Sequence, residues 1–202
     1  MPQQRRERFA ALAEGLALGS PDAAAAWAPE VLDIGFGHGE SLLEAAARWP
    51  DRRVLGVEVH QPGILRAMER LAARAADRVA EDPTAGNARV LHGDVTALLP
   101  LLAPGTVVAV RAYFPDPWPK RRHAVRRLLD REVVAAVAGL LAPGGTFHVV
   151  TDDATYAAGV GLAAAAEPRL VPLPGGLGVP PTKYARRAAE AGRDIHDLAW
   201  AR

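Results

Sequence analysis

The segment Pro115–Lys120 combines a rigid backbone with side chains that can do chemistry. Prolines at 115, 117 and 119 stiffen it, Asp116 supplies a carboxylate, Trp118 supplies a large planar face, and Lys120 begins a basic run. The segment follows an apolar run of strand length, and open α/β sheets bind ligands at the carboxyl ends of their strands. A rigid turn that leads into a solvated helix face is the alternative. We therefore treat this loop as the candidate acceptor site.

A second segment, Asp33-Ile34-Gly35-Phe36-Gly37-His38-Gly39, lies where an apolar run passes into a helical pattern. Its alternate glycines allow a tight turn whose backbone comes close to a ligand. The G-x-G-x-G spacing differs from the G-x-G-x-x-G pattern that places a pyrophosphate on a helix N-terminus. The turn therefore favours S-adenosylmethionine over NAD or FAD, and a plain loop is the alternative.

Acidic residues near the ends of the predicted strands support a cofactor site. Glu58 ends the second strand about 20 residues after the last glycine, where an acidic side chain accepts hydrogen bonds from ribose hydroxyls. Asp94 follows the third strand and either receives the adenine amino group or caps the next helix. Asp33 either orients the glycine turn or binds the methionine amino group. His38 has no second ligand at a suitable spacing, so we predict no metal.

The basic residues are clustered, although the formal net charge is only +1. Between Pro115 and Arg131, six basic side chains stand against two acidic ones. A second cluster consists of Lys183, Arg186, Arg187 and Arg193. Clustered cations are the electrostatic footprint of nucleic-acid binding, so we expect Lys120 and the arginines after it to neutralise phosphates.

The composition argues against two classes of protein. The sequence has no run of about 18 apolar residues and no signal-type stretch after its basic N-terminus, so we expect no membrane insertion. Cysteine is absent, which rules out a disulfide scaffold. The expected location is the cytoplasm.

The elements that position these residues alternate between short apolar runs and longer helical stretches, as in βαβ units. Runs of strand length cover 31–34, 53–59, 88–91, 106–113 and 146–151. Helical periodicity covers 40–49, 61–81, 122–142 and 153–166. At the ends we expect a helix over 3–18, an Ala-rich connector of no assigned structure over 20–29, a loop over 172–182, a short helix over 183–191 and a strand over 195–200.

This alternation predicts a doubly wound, Rossmann-like α/β fold with a mostly parallel seven-stranded sheet and helices on both faces. The length of 202 residues suits one domain. Within it, residues 1–29 would form the N-terminal helix and connector, 30–166 the cofactor-binding core, and 167–202 the substrate-side segment.

The sequence resembles the bacterial tRNA (guanine-N7)-methyltransferases, which are class I methyltransferases. The matching segments are Asp33–Glu40, Gly56–His60, Phe114–Lys120 with 121–123 and 126–128, Thr151-Asp152, Pro181–Tyr184 and Asp197-Leu198. They occur in the family's order across most of residues 31–200.

The resemblance implies methyl transfer from S-adenosylmethionine to N7 of one guanosine in the variable loop of tRNA, with S-adenosylhomocysteine as the second product. With the glycine turn, it implies cofactor contacts by Asp33, Gly35, Gly37, Gly39, Glu58, Asp94 and Asp116. It also implies that Asp116 is the catalytic residue and that the substrate contacts are Lys120, Asp152, Thr182, Lys183, Tyr184 and Ala185. Family members are monomers or dimers, so both states stay open.

The sequence departs from the family mainly on the substrate side. Asp33 replaces a glutamate, Ala185 replaces an acidic residue, Ala188 replaces a glycine, and only a remnant of the basic N-terminal extension is found in residues 1–8. We therefore expect a weaker affinity for tRNA. Two alternatives stay open: a paralogue that methylates a nitrogen of a small purine-like heterocycle, and a non-catalytic RNA-binding protein.

Overall fold

The computed structural model describes residues 3–78, 86–118, 122 and 126–202. The chain forms two compact units, residues 1–102 and 103–202. In the described residues, each unit contains four strands together with helices. Among the described helices, none combines the length and hydropathy that a bilayer-spanning segment needs.

The first unit carries the cofactor turn on a parallel sheet with the strand order β1-β4-β3-β2. The strands are apolar and largely buried, as expected for strands covered on both faces. Helices α3 and α4 pack against strands β3 and β4. The elements are α1 Gln3–Leu16, β1 Ala17–Leu18, α2 Pro21–Ala26, β2 Val31–Ile34, α3 Glu40–Arg48, β3 Val54–Glu58, α4 Gln61–Arg78, β4 Ala88–His92 and α5 Val95–Leu98, followed by a 3-10 turn over Leu99–Leu101.

The second unit carries the acceptor loop on a mixed sheet with the strand order β5-β6-β8-β7. Strands β5 and β6 are parallel, whereas β8 is antiparallel to both of its neighbours. Phe147 of β6 stacks on Trp200 of β8 at a centroid distance of 5.6 Å. The elements are β5 Val107–Tyr113, α6 Arg131–Leu140, β6 Leu141–Thr151, α7 Ala154–Ala165, β7 Val171–Pro172, α8 Lys183–Glu190 and β8 His196–Ala201.

Most helix starts are explained by their caps. A side-chain oxygen at the residue before the helix accepts a hydrogen bond from a backbone N–H of the first turn, which would otherwise lack a partner. The capping residues of this kind are Ser20, Asp94, Asp130, Asp153 and Thr182.

The structure confirms the α/β fold class and the predicted strands, and it corrects the starts of two elements and the strand count and assigns a helix to the connector. The helix predicted over 122–142 begins only at Arg131, because Asp130 caps it. The strand predicted from residue 146 already begins at Leu141. The connector over 20–29 contains helix α2. The described residues hold eight strands instead of seven, and two of these, β1 and β7, have only two residues each, too few for an alternating pattern.

Candidate active site

The glycine turn joins β2 to α3 through backbone conformations that favour glycine. Gly35, Gly37 and Gly39 have φ values of 70°, 57° and 85°, in the left-handed region. The turn is closed by hydrogen bonds from Gly35 N–H to the Val57 carbonyl at 2.8 Å and from Gly39 N–H to the Phe36 carbonyl at 3.0 Å. The predicted tight turn is therefore present at the carboxyl end of β2.

Close packing against α4 also requires glycine in this turn. A Cβ atom at Gly39 would lie 2.6 Å from the Cβ of Ala67 in α4. A Cβ atom at Gly63, also in α4, would overlap the carbonyl oxygen of Gly37. The start of α4 thus fixes the outer side of the turn. The role of Gly63 is not visible in the sequence, because a glycine in a helical pattern does not by itself show which group packs against it.

Glu58 binds the glycine turn directly. Its Oε2 accepts a hydrogen bond from Gly37 N–H at 2.9 Å, and its Oε1 accepts bonds from Val59 N–H at 2.8 Å and His60 N–H at 2.9 Å. A carboxylate has about four acceptor positions, so three backbone donors leave room for a further donor such as a ribose hydroxyl. Glu58 therefore supports the turn and can also bind a nucleoside.

Asp94 lies beside Glu58 at the same edge of the sheet. Glu58 and His92 are opposite each other in the β3/β4 ladder, and Gly93 N–H donates to the Glu58 carbonyl at 3.0 Å. The Asp94 Oδ1 accepts from Thr96 N–H at 2.9 Å, which makes Asp94 the N-cap of α5. The side chain is exposed, so the capping role leaves its carboxylate accessible to a ligand.

Asp33 lies in the middle of β2, opposite Gly56 of β3, and is fully buried. The sequence left open whether this carboxylate supports the turn or binds the methionine amino group. Full burial favours support of the turn, because the side chain presents no surface to solvent. The cofactor contact of Asp33 stays a prediction.

The acceptor loop has an unusual backbone at both ends of the Asp116 segment. Phe114 and Trp118 have φ values of 51° and 43°, a region that large side chains rarely occupy. Such conformations persist only where surrounding contacts hold them, and they concentrate at functional sites. Asp116, between them, is exposed, as a residue that contacts a ligand must be.

Arg127 is one of the contacts that hold this loop. Its Nε donates to the carbonyl of Pro117 at 2.8 Å, and its guanidinium lies 5.4 Å from the centre of the Tyr156 ring. The Tyr156 hydroxyl accepts from Leu129 N–H at 3.1 Å. From the sequence we expected Arg127 to neutralise phosphates, and Tyr156 could not be found, because no local pattern shows contacts between α7 and a loop.

The surroundings of the acceptor loop also affect the pKa of Tyr156. Burial raises the pKa of its phenol to about 12, while the Leu129 N–H and the Arg127 charge oppose this rise and the charge of Asp116 adds to it. The phenol is therefore neutral at physiological pH and serves as a packing and hydrogen-bonding group.

Trp118 is half-buried and carries the guanidinium of Arg126 at 4.9 Å from its ring centre. A cation over an indole face is attracted by the ring quadrupole. Trp118 is therefore not a fully buried core residue, and part of its surface stays accessible to a ligand. Lys120, the predicted substrate contact next to it, lies outside the described residues.

The four predicted substrate residues 182–185 form the start of α8 and meet the acceptor loop. Thr182 is buried, and its Oγ1 accepts from Ala185 N–H at 3.2 Å; Ala185 is also buried. Tyr184 is 40% exposed, and its ring stacks on Phe114 at a centroid distance of 6.1 Å. Lys183 Nζ lies 4.6 Å from the centre of the Tyr184 ring. Tyr184 and Lys183 thus present side chains to a ligand, whereas Ala185 presents little.

Asp152 follows β6 and is paired with a cation of the chain. Its Oδ2 lies 2.7 Å from Arg193 Nη1. Arg193 belongs to the second basic cluster, so part of that cluster's charge is already balanced. In the described residues, no group of three or more His, Asp or Glu side chains is arranged to hold a metal.

The chain has the fold of the class I methyltransferases, and a methyltransferase family model matches most of it. A solved SAM-dependent O-methyltransferase from Thermotoga maritima superposes with a TM-score of 0.57, covering 100% of this chain and 66% of its own, at 12% identity. At that identity the likeness shows the fold alone. A family model described as "Putative methyltransferase" matches residues 27–198.

Sequence relatives narrow this class. The tRNA (guanine-N(7)-)-methyltransferase of Alkalilimnicola ehrlichii is 41% identical over 180 residues, which cover 86% of this chain and 72% of the relative. That of Thiobacillus denitrificans is 39% identical over 183 residues, which cover 87% and 76%. The chain therefore belongs to the tRNA (guanine-N(7)-)-methyltransferase family, and the resemblance found in its motifs is confirmed.

Proposed function

We propose that this chain transfers the methyl group of S-adenosylmethionine to N7 of a guanosine in the variable loop of tRNA. The main observation behind the proposal is the position of Asp116. Its carboxylate is exposed in a loop between Phe114 and Trp118, whose backbones have positive φ values. Family membership supplies the reaction class, and the first unit supplies a turn suited to the cofactor. The proposal assigns cofactor binding to the first unit and guanine recognition to the second.

The residues of the first unit fit S-adenosylmethionine. The backbone of Gly35–Gly39 allows close approach, Glu58 retains an acceptor position for a ribose hydroxyl, and the exposed Asp94 can accept from the adenine amino group. When bound, the cofactor supplies an electrophilic methyl group on a sulfonium. A contact between Asp116 and the cofactor is also part of the proposal.

Methylation of guanine N7 requires a site that positions the base and does not need to remove a proton from it. This nitrogen has an in-plane lone pair and no proton, so the protein must mainly align it. The Asp116 carboxylate can accept hydrogen bonds from the N1–H and the N2 amino group of guanine. It also opposes the positive charge that methylation places on the ring. We therefore assign Asp116 to orientation and charge stabilisation, with no proton removed.

Aromatic and basic groups of the second unit support recognition of an RNA. The half-buried Trp118 and the exposed Tyr184 offer rings for base stacking, worth about 1–3 kcal/mol per base. Lys183 and Lys120 would contact phosphates, which position an RNA without reading its sequence. Asp152 is the remaining proposed substrate contact. A cytoplasmic enzyme, as monomer or homodimer, fits this role.

A methyl-transfer assay tests the proposal. Wild type and Asp116→Asn are incubated with methyl-labelled S-adenosylmethionine and either tRNA that lacks 7-methylguanosine or free purines. We expect label in tRNA with wild type and a loss of at least about 100-fold with Asp116→Asn, since Asn keeps the shape without the charge. Label on free purines alone would instead support the paralogue that acts on small heterocycles. Cofactor-independent RNA binding without transfer would support the non-catalytic alternative.

A further inference from the structure

A buried chain of three polar side chains crosses the sheet of the second unit. The Tyr113 hydroxyl of β5 lies 2.8 Å from Nδ1 of His148 in β6, and Nε2 of His148 lies 2.7 Å from Oδ1 of Asp197 in β8. A neutral imidazole satisfies both contacts, because Nε2–H donates to the carboxylate and Nδ1 accepts from the hydroxyl. His148 is 5% exposed and Tyr113 is 9% exposed, so water competes little for these bonds.

The far end of this chain binds a loop backbone. The Asp197 carboxylate accepts from Leu177 N–H at 3.2 Å and from Gly178 N–H at 2.7 Å. Gly176 has a φ of 69°, and a Cβ atom there would overlap the Asp197 carboxyl group. The backbone of 176–178 therefore wraps closely around one carboxylate.

Both ends of the chain lead directly to proposed substrate contacts. Tyr113 is the last residue of β5, immediately before Phe114 and the Asp116 loop. The loop bound by Asp197 continues to Thr182, the N-cap of α8, which presents Tyr184 to Phe114. One series of hydrogen bonds thus connects the start of the Asp116 loop with the loop that leads into α8. The proposed function assigns these two segments to the binding of guanine and tRNA.

We propose that Tyr113, His148 and Asp197 are positioning residues that hold the 173–182 loop, and hence α8, in register with the Asp116 loop for tRNA binding. This inference rests on the proposed function for the identity of the substrate. The loop contains Gly175, Gly176 and Gly178, all with positive φ, so it has many alternative conformations without an anchor. Ordering such a loop only when tRNA binds weakens the apparent affinity.

The test compares loop variants with matched controls. Gly176→Ala forces the loop away from Asp197, whereas Gly175→Ala has a similar φ of 87° and a Cβ that would meet nothing within 4 Å. Asp197→Asn removes one acceptor and the charge. Glu167→Gln disrupts another well-formed ion pair of the same unit, that of Glu167 and Arg169 at 2.6 Å.

The measurements are KM for tRNA, kcat, the Kd of S-adenosylmethionine and hydrogen exchange of the Leu177 and Gly178 amides. We expect Gly176→Ala and Asp197→Asn to raise KM about tenfold or more, with the cofactor Kd within about twofold and with faster exchange of the two amides. Tyr113→Phe should shift KM in the same direction by less. Both control variants should keep the wild-type KM.

Two results would overturn the inference: a wild-type KM in Gly176→Ala and Asp197→Asn, or an equal rise of KM in Gly175→Ala and Glu167→Gln. Failure of the proposed function is a separate result, because wild type itself would then not methylate tRNA. Hydrogen exchange of the Leu177 and Gly178 amides tests their bonds to Asp197 whether or not the wild type methylates tRNA.

Discussion

Arg127→Ala is expected to slow turnover and to leave the salt dependence of tRNA binding unchanged. The Arg127 Nε donates to the Pro117 carbonyl at 2.8 Å, and its guanidinium covers the Tyr156 ring at 5.4 Å. A hydrogen bond from a charged donor is worth about 1.5–3 kcal/mol, and a cation over an aromatic ring contributes about 0.5–1 kcal/mol. Loss of both contacts frees the carbonyl next to Asp116.

The expected size follows from these contacts. If the loss of these contacts raises the activation free energy of methyl transfer by about 2 kcal/mol, kcat falls about 30-fold. Arg126→Ala is the matched control, because Arg126 is the neighbouring arginine and contacts the Trp118 ring at 4.9 Å. Among the contacts of the described residues it loses the cation–π contact to Trp118, so its kcat should fall by less than about fivefold.

The assay measures kcat and KM for tRNA over a range of salt concentrations. Removing a phosphate contact reduces the slope of log affinity against log salt by about one, whereas removing a loop anchor leaves that slope unchanged. A reduced slope with kcat within about twofold of wild type would refute the assignment of Arg127 as an anchor and restore its role as a phosphate ligand.

Three other variants test separate parts of the account. Asp116→Ala should lower kcat by more than about 100-fold while the cofactor Kd rises by less than about tenfold, and turnover within about tenfold of wild type would contradict its role. Glu58→Gln should raise the cofactor Kd about tenfold in calorimetry, because the introduced side-chain amide replaces an acceptor oxygen that Gly37 N–H uses. The Arg169 side chain holds the pKa of Glu167 at about 2, against 4.5 for an ordinary glutamate. The depressed pKa contributes stability above pH 4.5 that is lost toward pH 2, so in urea unfolding the advantage of wild type over Glu167→Gln should shrink over that interval.

The fold class could be predicted because its strands are short apolar runs bounded by clear breaks. Val31–Ile34 is buried at every position, as its apolar residues Val31, Leu32 and Ile34 indicated. The helix predicted over 122–142 is present, but its predicted start at residue 122 was wrong, because arginine and leucine spacing continues through Arg126 and Arg127, which lie before the helix. Asp130 carried the signal for the true start, since Asp is a preferred N-cap.

The proximity of the predicted cofactor residues Gly37 and Glu58 could be predicted because the ends of adjacent parallel strands meet at one edge of a sheet. Gly37 and Glu58 are 21 residues apart in sequence and share a hydrogen bond. The anchors of the acceptor side could not be predicted in the same way. His148 and Asp197 are 49 residues apart, and nothing in a single sequence shows that their side chains meet across β6 and β8.

Methylation of a tRNA whose variable-loop guanosine is replaced by 7-deazaguanosine tests the central claim most directly. In this analogue a C–H group replaces N7, so the attacking lone pair is absent while the N1–H and N2 edge that Asp116 would bind is intact. We expect that unmodified tRNA gains one 7-methylguanosine in the variable loop, located by mass spectrometry, and that the analogue gains none. Equal methylation of both RNAs, or a methyl group on another base, would contradict it.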